Sequence, residues 1–233
     1  MTTSPEIKMA VNEKQLVAAY QTIAELLLYP EDRDTDRIAN CMAELGNAPT
    51  PLMEGLHEFL ASSQSGDANE YVQVLELSPP CPLYLGSYMF DEPKSCLGAG
   101  LSGRNGYMME LAGAYRHFGF EIGEGELTDF VPAMAEFLAI SLDNSGLDPI
   151  GLRRRFVESY VKPGLEPMRK ALAKYDSPYG LVIGALEAAV DADIALHADG
   201  PMWKVPPRVG KPPTPPVISF GSNRTVAPAG DPI

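Results

Sequence analysis

The sequence predicts an all-α protein: a single-domain helical bundle with a long central loop and a proline-rich C-terminal tail. Three observations carry that expectation. Apolar residues recur at intervals of three and four along most of the chain, the period of one helix face. Strand-like alternation is nearly absent. Irregular composition is confined to two stretches, 78–103 and everything after Trp203. The boundaries that follow are a helical domain over 1–203 and a proline-rich tail over 204–233.

Leu16, Tyr20, Ile23 and Leu27 place one apolar stripe on an N-terminal helix. Tyr29-Pro30 should end it, because proline pushes its predecessor out of the α region. A second helix is expected from Asp34 to Leu45, stopped at Gly46, and a third from Pro51 to Leu60, with the proline in its first turn. The segment YVQVLEL (71–77) alternates weakly, yet Asp67-Ala68-Asn69-Glu70 ahead of it reads equally well as a helix start. Met108, Leu111, Tyr115 and Phe118 line a further helix ended by Gly119. Leu127, Val131, Met134 and Leu138 line the next, Leu165, Met168, Leu172 and Tyr175 another, and Ile183, Leu186, Val190 and Ile194 an alanine-rich last one. Between these helices, 78–103 carries Pro79, Pro80, Pro82, Pro93 and three glycines near its end; irregular stretches of that length tend to be functional. The tail, VPPRVGKPPTPPVISFGSNRTVAPAGDPI, cannot be helical, and Val217, Ile218 and Phe220 are its candidate docking residues.

Charge excludes some functions. Eighteen basic against 31 acidic residues leave a formal net charge of −13, which repels nucleic acid and anionic lipid and attracts basic partners. No run approaches the roughly 18 apolar residues of a membrane span. The N-terminus MTTSPEIKMAVNEKQ has neither the basic nor the apolar region of a secretory signal, so a cytoplasmic location is expected. Three cysteines, Cys41, Cys81 and Cys96, without CxxC spacing argue against a disulfide framework or a zinc knuckle.

Residues 98–103, GAGLSG, match the G-x-G-x-x-G turn that cradles a dinucleotide pyrophosphate, and Glu121 stands at about the offset of a ribose ligand. Such a turn needs a buried strand before it, and FDEPKSCL is too charged and contains Pro93. A glycine loop ahead of a helix is the better reading. His57, His117 and His197 fall on three different helices without metal-ligand spacing. No nucleophile elbow, phosphate loop or activated cysteine is present, so no catalytic residue is assigned and the chain is read as a non-enzyme. Arg153, Arg154 and Arg155 point to different sides of a helix, and most of that run reads as solvated face.

GEGELTDFVPAMAEFLAIS (123–141) is more informative. Thr128 or Asp129 can cap a helix whose first turn holds Pro132. Asp129 and Glu136 then share one face, roughly 10 Å apart, too far for a coupled acid–base pair. A peptide bearing basic residues could bridge them.

In this stretch and others the chain resembles the TorD-like chaperones of molybdenum enzymes, and among them the NarJ group that assembles nitrate reductases and related enzymes. EYVQVLEL (70–77), YLGSYMFDE (84–92), SGRNGYMMELAGAYRHFG (102–119), ELTDFVPAMAEFLA (126–139) and MWKVPPRVG…PPVISFG look like that family's motifs in the same order. Two positions depart from the signature. Thr128 replaces the usual proline, and Phe130 replaces the usual histidine, so no role of that histidine carries over. The resemblance implies Tyr88, Arg104, Asp129 and Glu136 as contacts for a client peptide, no bound dinucleotide and no resident cofactor. It also implies the partner, the N-terminal segment of a molybdoenzyme catalytic subunit, held competent for molybdenum cofactor insertion. The 91–106 loop would serve as a hinge for domain swapping, so either a monomer or a swapped dimer fits. Two other functions remain open on the sequence: a dinucleotide-binding oxidoreductase using GAGLSG, and a stoichiometric subunit docked through the tail.

Overall fold

Polar caps set where three of the helices start. The computed structural model describes residues 11–46, 51–77, 79–91, 103–123, 125–144, 146, 148, 151–201 and 217–218. Helix α1 spans Glu13–Leu26. The Gln15 N–H donates to Asn12 Oδ1 (3.0 Å) and the Asn12 N–H to Gln15 Oε1 (3.1 Å), a reciprocal capping box. The helix ends three residues before Tyr29, and Pro30–Asp32 form a separate 3-10 turn. Helix α2, Thr35–Leu45, is capped by Asp34 and stopped by Gly46 at φ 71°. Helix α3 is Pro51–Ala61. Asp67 caps α4, Ala68–Tyr71, which continues as a π turn over Val72–Glu76, so YVQVLEL is helical up to Glu76. Helix α5 is Gly103–His117, and Gly119 turns the chain at φ 83° beyond it. Of the GAGLSG motif only Gly103 lies among the described residues, at the first position of α5; the segment before it, 79–91, holds a 3-10 turn at Leu85–Tyr88.

Helix α6 is Val131–Asp143. Helices α7 (Leu152–Arg155) and α8 (Lys162–Ala173) form one rod joined by a π stretch at Phe156–Val161. Pro163, in the first turn of α8, has no N–H for a carbonyl four residues back, and the wider π turn immediately before it accommodates that loss. Helix α9 is Tyr179–Leu196. The described residues contain one short ladder, in which β1 (Glu121–Ile122) pairs in parallel with β2 (Val217–Ile218) of the tail. The fold is all-α, and no described helix is long and apolar enough to cross a membrane.

Helix α1 lies at the centre, packed on α2, α6 and α9, while α9 also covers α3 and α8. Leu16, Tyr20 and Ile23 of α1 are fully buried, as the stripe requires. Alanines 133, 135 and 139 of α6 and 185 and 189 of α9 are buried too, which lets helix axes approach closely. Two expected stripes end early. Tyr175 lies beyond α8 and is 54% exposed, and Leu127 precedes α6 and is 41% exposed, because neither sits on the helix that would turn it inward.

Candidate functional site

The four residues expected to grip a client do not form one surface. Asp129 is fully buried. Its Oδ2 accepts from Arg104 Nε (3.0 Å), Arg104 Nη2 (2.8 Å) and the Gly86 N–H (3.1 Å). A Cβ on Gly86 would stand 2.6 Å from that oxygen, so this approach requires glycine. Asp129 Oδ1 is buried with no hydrogen-bond partner among the described residues. The backbone around it is stitched to the central segment. Leu85 N–H donates to Asp129 O and Val131 N–H to Leu83 O, both at 2.9 Å, flanking an antiparallel bridge of Tyr84 with Phe130. Helix α5 joins the same node, since Tyr115 donates its hydroxyl to Thr128 O (2.8 Å) and Thr128 Oγ1 donates to Met108 O (3.1 Å).

Neither Thr128 nor Asp129 caps α6, contrary to the sequence expectation. The N-cap is Phe130, without a side-chain cap, because both polar side chains are drawn to α5 instead. Tyr88 sits two residues past Gly86, and its hydroxyl donates to Pro82 O at 2.9 Å. Burial pushes its phenol up, so it stays a donor at neutral pH. Glu136 belongs to a different cluster. Arg37 Nη2 donates to both Glu136 oxygens (2.7 and 2.8 Å) and Arg37 Nη1 to Glu25 Oε1 (2.8 Å), joining α2 to α6 and α1. Asp129 and Glu136 therefore do not act as a pair; each is engaged by its own arginine.

Arg153 is the exception to the solvated-face reading of the arginine run, while Arg154 and Arg155 keep 25% and 38% of their side chains in solvent. It is 6% exposed and clamps Asp193 of α9 through Nη1 (2.7 Å) and Nη2 (2.6 Å), while its Nε donates to Ser141 Oγ (2.9 Å). Tyr20 donates to Asp193 Oδ2 at 2.7 Å, and His197 Nδ1 lies 2.9 Å from Oδ1. Burial alone would raise the Asp193 carboxyl, but the hydrogen bonds from Arg153, His197 and Tyr20 outweigh it and hold it well below the usual carboxylate range. The Asp193 hydrogen bond raises His197. A narrow cleft of about 200 Å³ between Leu142, Val157, Ile194 and Pro201 opens onto this cluster. The sequence signal was present but silent: Asp193 interrupts the apolar run of α9, and Tyr20 reads simply as core.

An open concavity lies between α2 and α3. Thr35, Ile38, Ala39, Met42 and Ala43 of α2 and His57 and Leu60 of α3 line a groove of about 560 Å³. Its walls are mostly apolar, and Leu60 is 39% exposed within it. The same helices carry exposed Asp36, Glu44, Glu54 and Glu58. Their single arginine, Arg37, is committed to Glu25 and Glu136, so it does not offset the exposed acids on these two helices. Periodicity missed this groove because it records which residues face the core, not where two helices leave their outer shoulders uncovered.

Among the described residues no group of three His, Cys, Asp or Glu side chains could hold a metal ion. No protein-family model matches this chain, and no curated protein matches it.

Proposed function

We propose that this protein is a maturation chaperone acting in the cytoplasm, which binds the N-terminal segment of a molybdoenzyme catalytic subunit until the cofactor is inserted. The observation that carries the reading is the apolar groove between α2 and α3 with its exposed acids. Eleven residues of α2 span about 16 Å, room for about three turns of a client helix. The client would lay its apolar face on Ile38, Met42 and Leu60 and turn its basic residues toward Asp36, Glu54 and Glu58. The motif resemblance supplies the client class, and the net charge of −13 favours encounter with a basic segment. In this reading Arg104, Asp129, Glu136 and Tyr88 are positioning residues: Glu136 holds α2 through Arg37, and Asp129 holds the central segment through Arg104 and Gly86.

Affinity capture of the tagged chain from its anaerobically grown host, with mass spectrometry, tests the reading. Recovery of a catalytic subunit lacking its cofactor supports it. Permanent association with the mature, cofactor-loaded enzyme makes the protein a structural subunit instead. With the captured subunit's N-terminal peptide in hand, Met42→Asp and Leu60→Asp should each weaken binding at least about tenfold at unchanged helicity, the equivalent of about 1.4 kcal/mol. Unchanged affinity in calorimetry would move the client off this groove.

A further inference from the structure

The β1–β2 ladder stands outside the proposed groove and has its own consequence. We propose that the edge of β1 is a binding site for an extended peptide strand, which the chain fills in cis with its own Val217–Ile218. Three observations carry this. First, the edge is preformed: Gly119 turns the chain at φ 83°, Phe120 N–H donates to Tyr115 O at 2.9 Å, and Phe120 and Ile122 pack on the core. Glu121 faces outward and pairs with Arg116 at 3.5 Å.

Second, the ladder is only two residues long, Glu121 opposite Val217 and Ile122 opposite Ile218. A ladder that short is marginal by itself, so tethering contributes much of its occupancy. Sixteen positions separate Pro201 from Val217, and a tether of that order presents its end at an effective concentration of about 1 mM. Third, the occupant is built as a strand ligand. Pro212, Pro213, Pro215 and Pro216 lead directly into Val217 and Ile218, so the sequence sets four prolines ahead of two β-branched residues. Proline favours the extended form before docking and lowers the entropy lost on binding. Main-chain hydrogen bonds to a sheet edge accept any such strand, and side chains select among them.

The partner class is therefore an extended segment with β-branched residues after prolines, which must displace the tail to bind. This inference does not depend on the chaperone reading, because β1 shares no residue with the α2–α3 groove.

The test uses the full chain and a fluorescently labelled peptide, TPPVISFG, copied from the tail. Fluorescence polarisation compares the native chain with the full-length Val217→Pro/Ile218→Pro variant, in which neither residue can donate to the ladder. The variant should bind the peptide at least about tenfold more tightly than the native chain, with amide NMR shifts centred on 120–123. Equal affinity for both chains, no saturable binding to a variant of unchanged helicity, or shifts centred elsewhere would each overturn the proposal. A native chain that sediments as a dimer, and a variant that is monomeric, would place the tail on a second copy and overturn the cis assignment.

Discussion

Asp129 and Asp193 look alike on the page of the sequence, each an acid in an apolar run, and both are buried against an arginine. Removing the charge of Asp129 with Asn leaves Arg104 and the Gly86 N–H without their shared anion. Arg104 keeps 27% of its side chain in solvent, so the expected loss is modest, about 2 kcal/mol by chemical denaturation. Arg153 has no such outlet. Arg153→Ala strands the Asp193 carboxylate beside Tyr20 and should cost about 3 kcal/mol or more in the same assay. Asp193 also sets how stability answers to pH. Asp193 is depressed in the folded state, so its contribution is complete above its unfolded value of about 3.9 and lost only as pH falls well below that. His197 runs the other way. Its folded value is raised, so its contribution is complete below about pH 6.5 and lost as pH rises through the higher folded value. The groups facing it are Asp193 on its own helix, 2.9 Å from Nδ1, and Glu13 of α1, 3.3 Å from Nε2. Melting temperatures from about pH 6 to about pH 8 should fall in the native chain and flatten in His197→Gln. Equal slopes in the two proteins would remove the histidine link between α1 and α9.

At the scale of elements, glycine decides two contacts that hydrophobic patterning does not reveal. Gly164 of α8 faces the 3-10 turn at Leu85–Tyr88, where an added Cβ would stand 2.5 Å from Leu85 Cγ and 3.1 Å from Met89 Sδ. Gly55 brings α3 onto α9, where an added Cβ would stand 2.9 Å from the Leu181 carbonyl oxygen. Backbone oxygen cannot swing aside as a leucine end can. Gly55→Ala and Gly164→Ala should therefore each destabilise by about 1–3 kcal/mol, despite alanine's better helix propensity. A stabilised Gly164→Ala would mean that Leu85 repacks freely. The π stretch between α7 and α8 belongs to the same scale. It lets a rod containing Pro163 and Pro167 continue while Phe156, Val157, Tyr160 and Val161 all remain buried.

For the whole molecule, acidity and shape work together at the α2–α3 groove. Binding of a basic client peptide there should weaken as salt rises from about 0.05 M to about 0.5 M, mostly through slower association. A salt-independent association rate, read by stopped-flow fluorescence, would uncouple the net charge of −13 from recognition. The fold class was legible in the sequence, because periods of three and four express the geometry of a single helix and need no partner to be read. Helix starts at Asp34 and Asp67 were legible for the same local reason, a side-chain oxygen meeting a backbone N–H two or three residues on, whereas the cap at Asn12 was not read. The partners of Asp129, Glu136 and Arg153 were not. Arg104 lies 25 positions before Asp129, Arg37 lies 99 before Glu136, and Asp193 lies 40 after Arg153. A spacing of seven residues placed Asp129 and Glu136 on one face of one helix, whereas Arg104 drew the first inward and Arg37 bound the second at another helix junction. The sequence by itself determined that this chain is helical, acidic and proline-tailed, since those properties are local or additive. Only the tertiary structure decided which charges are spent inside and where a groove stays open, because both depend on which distant helices pack together.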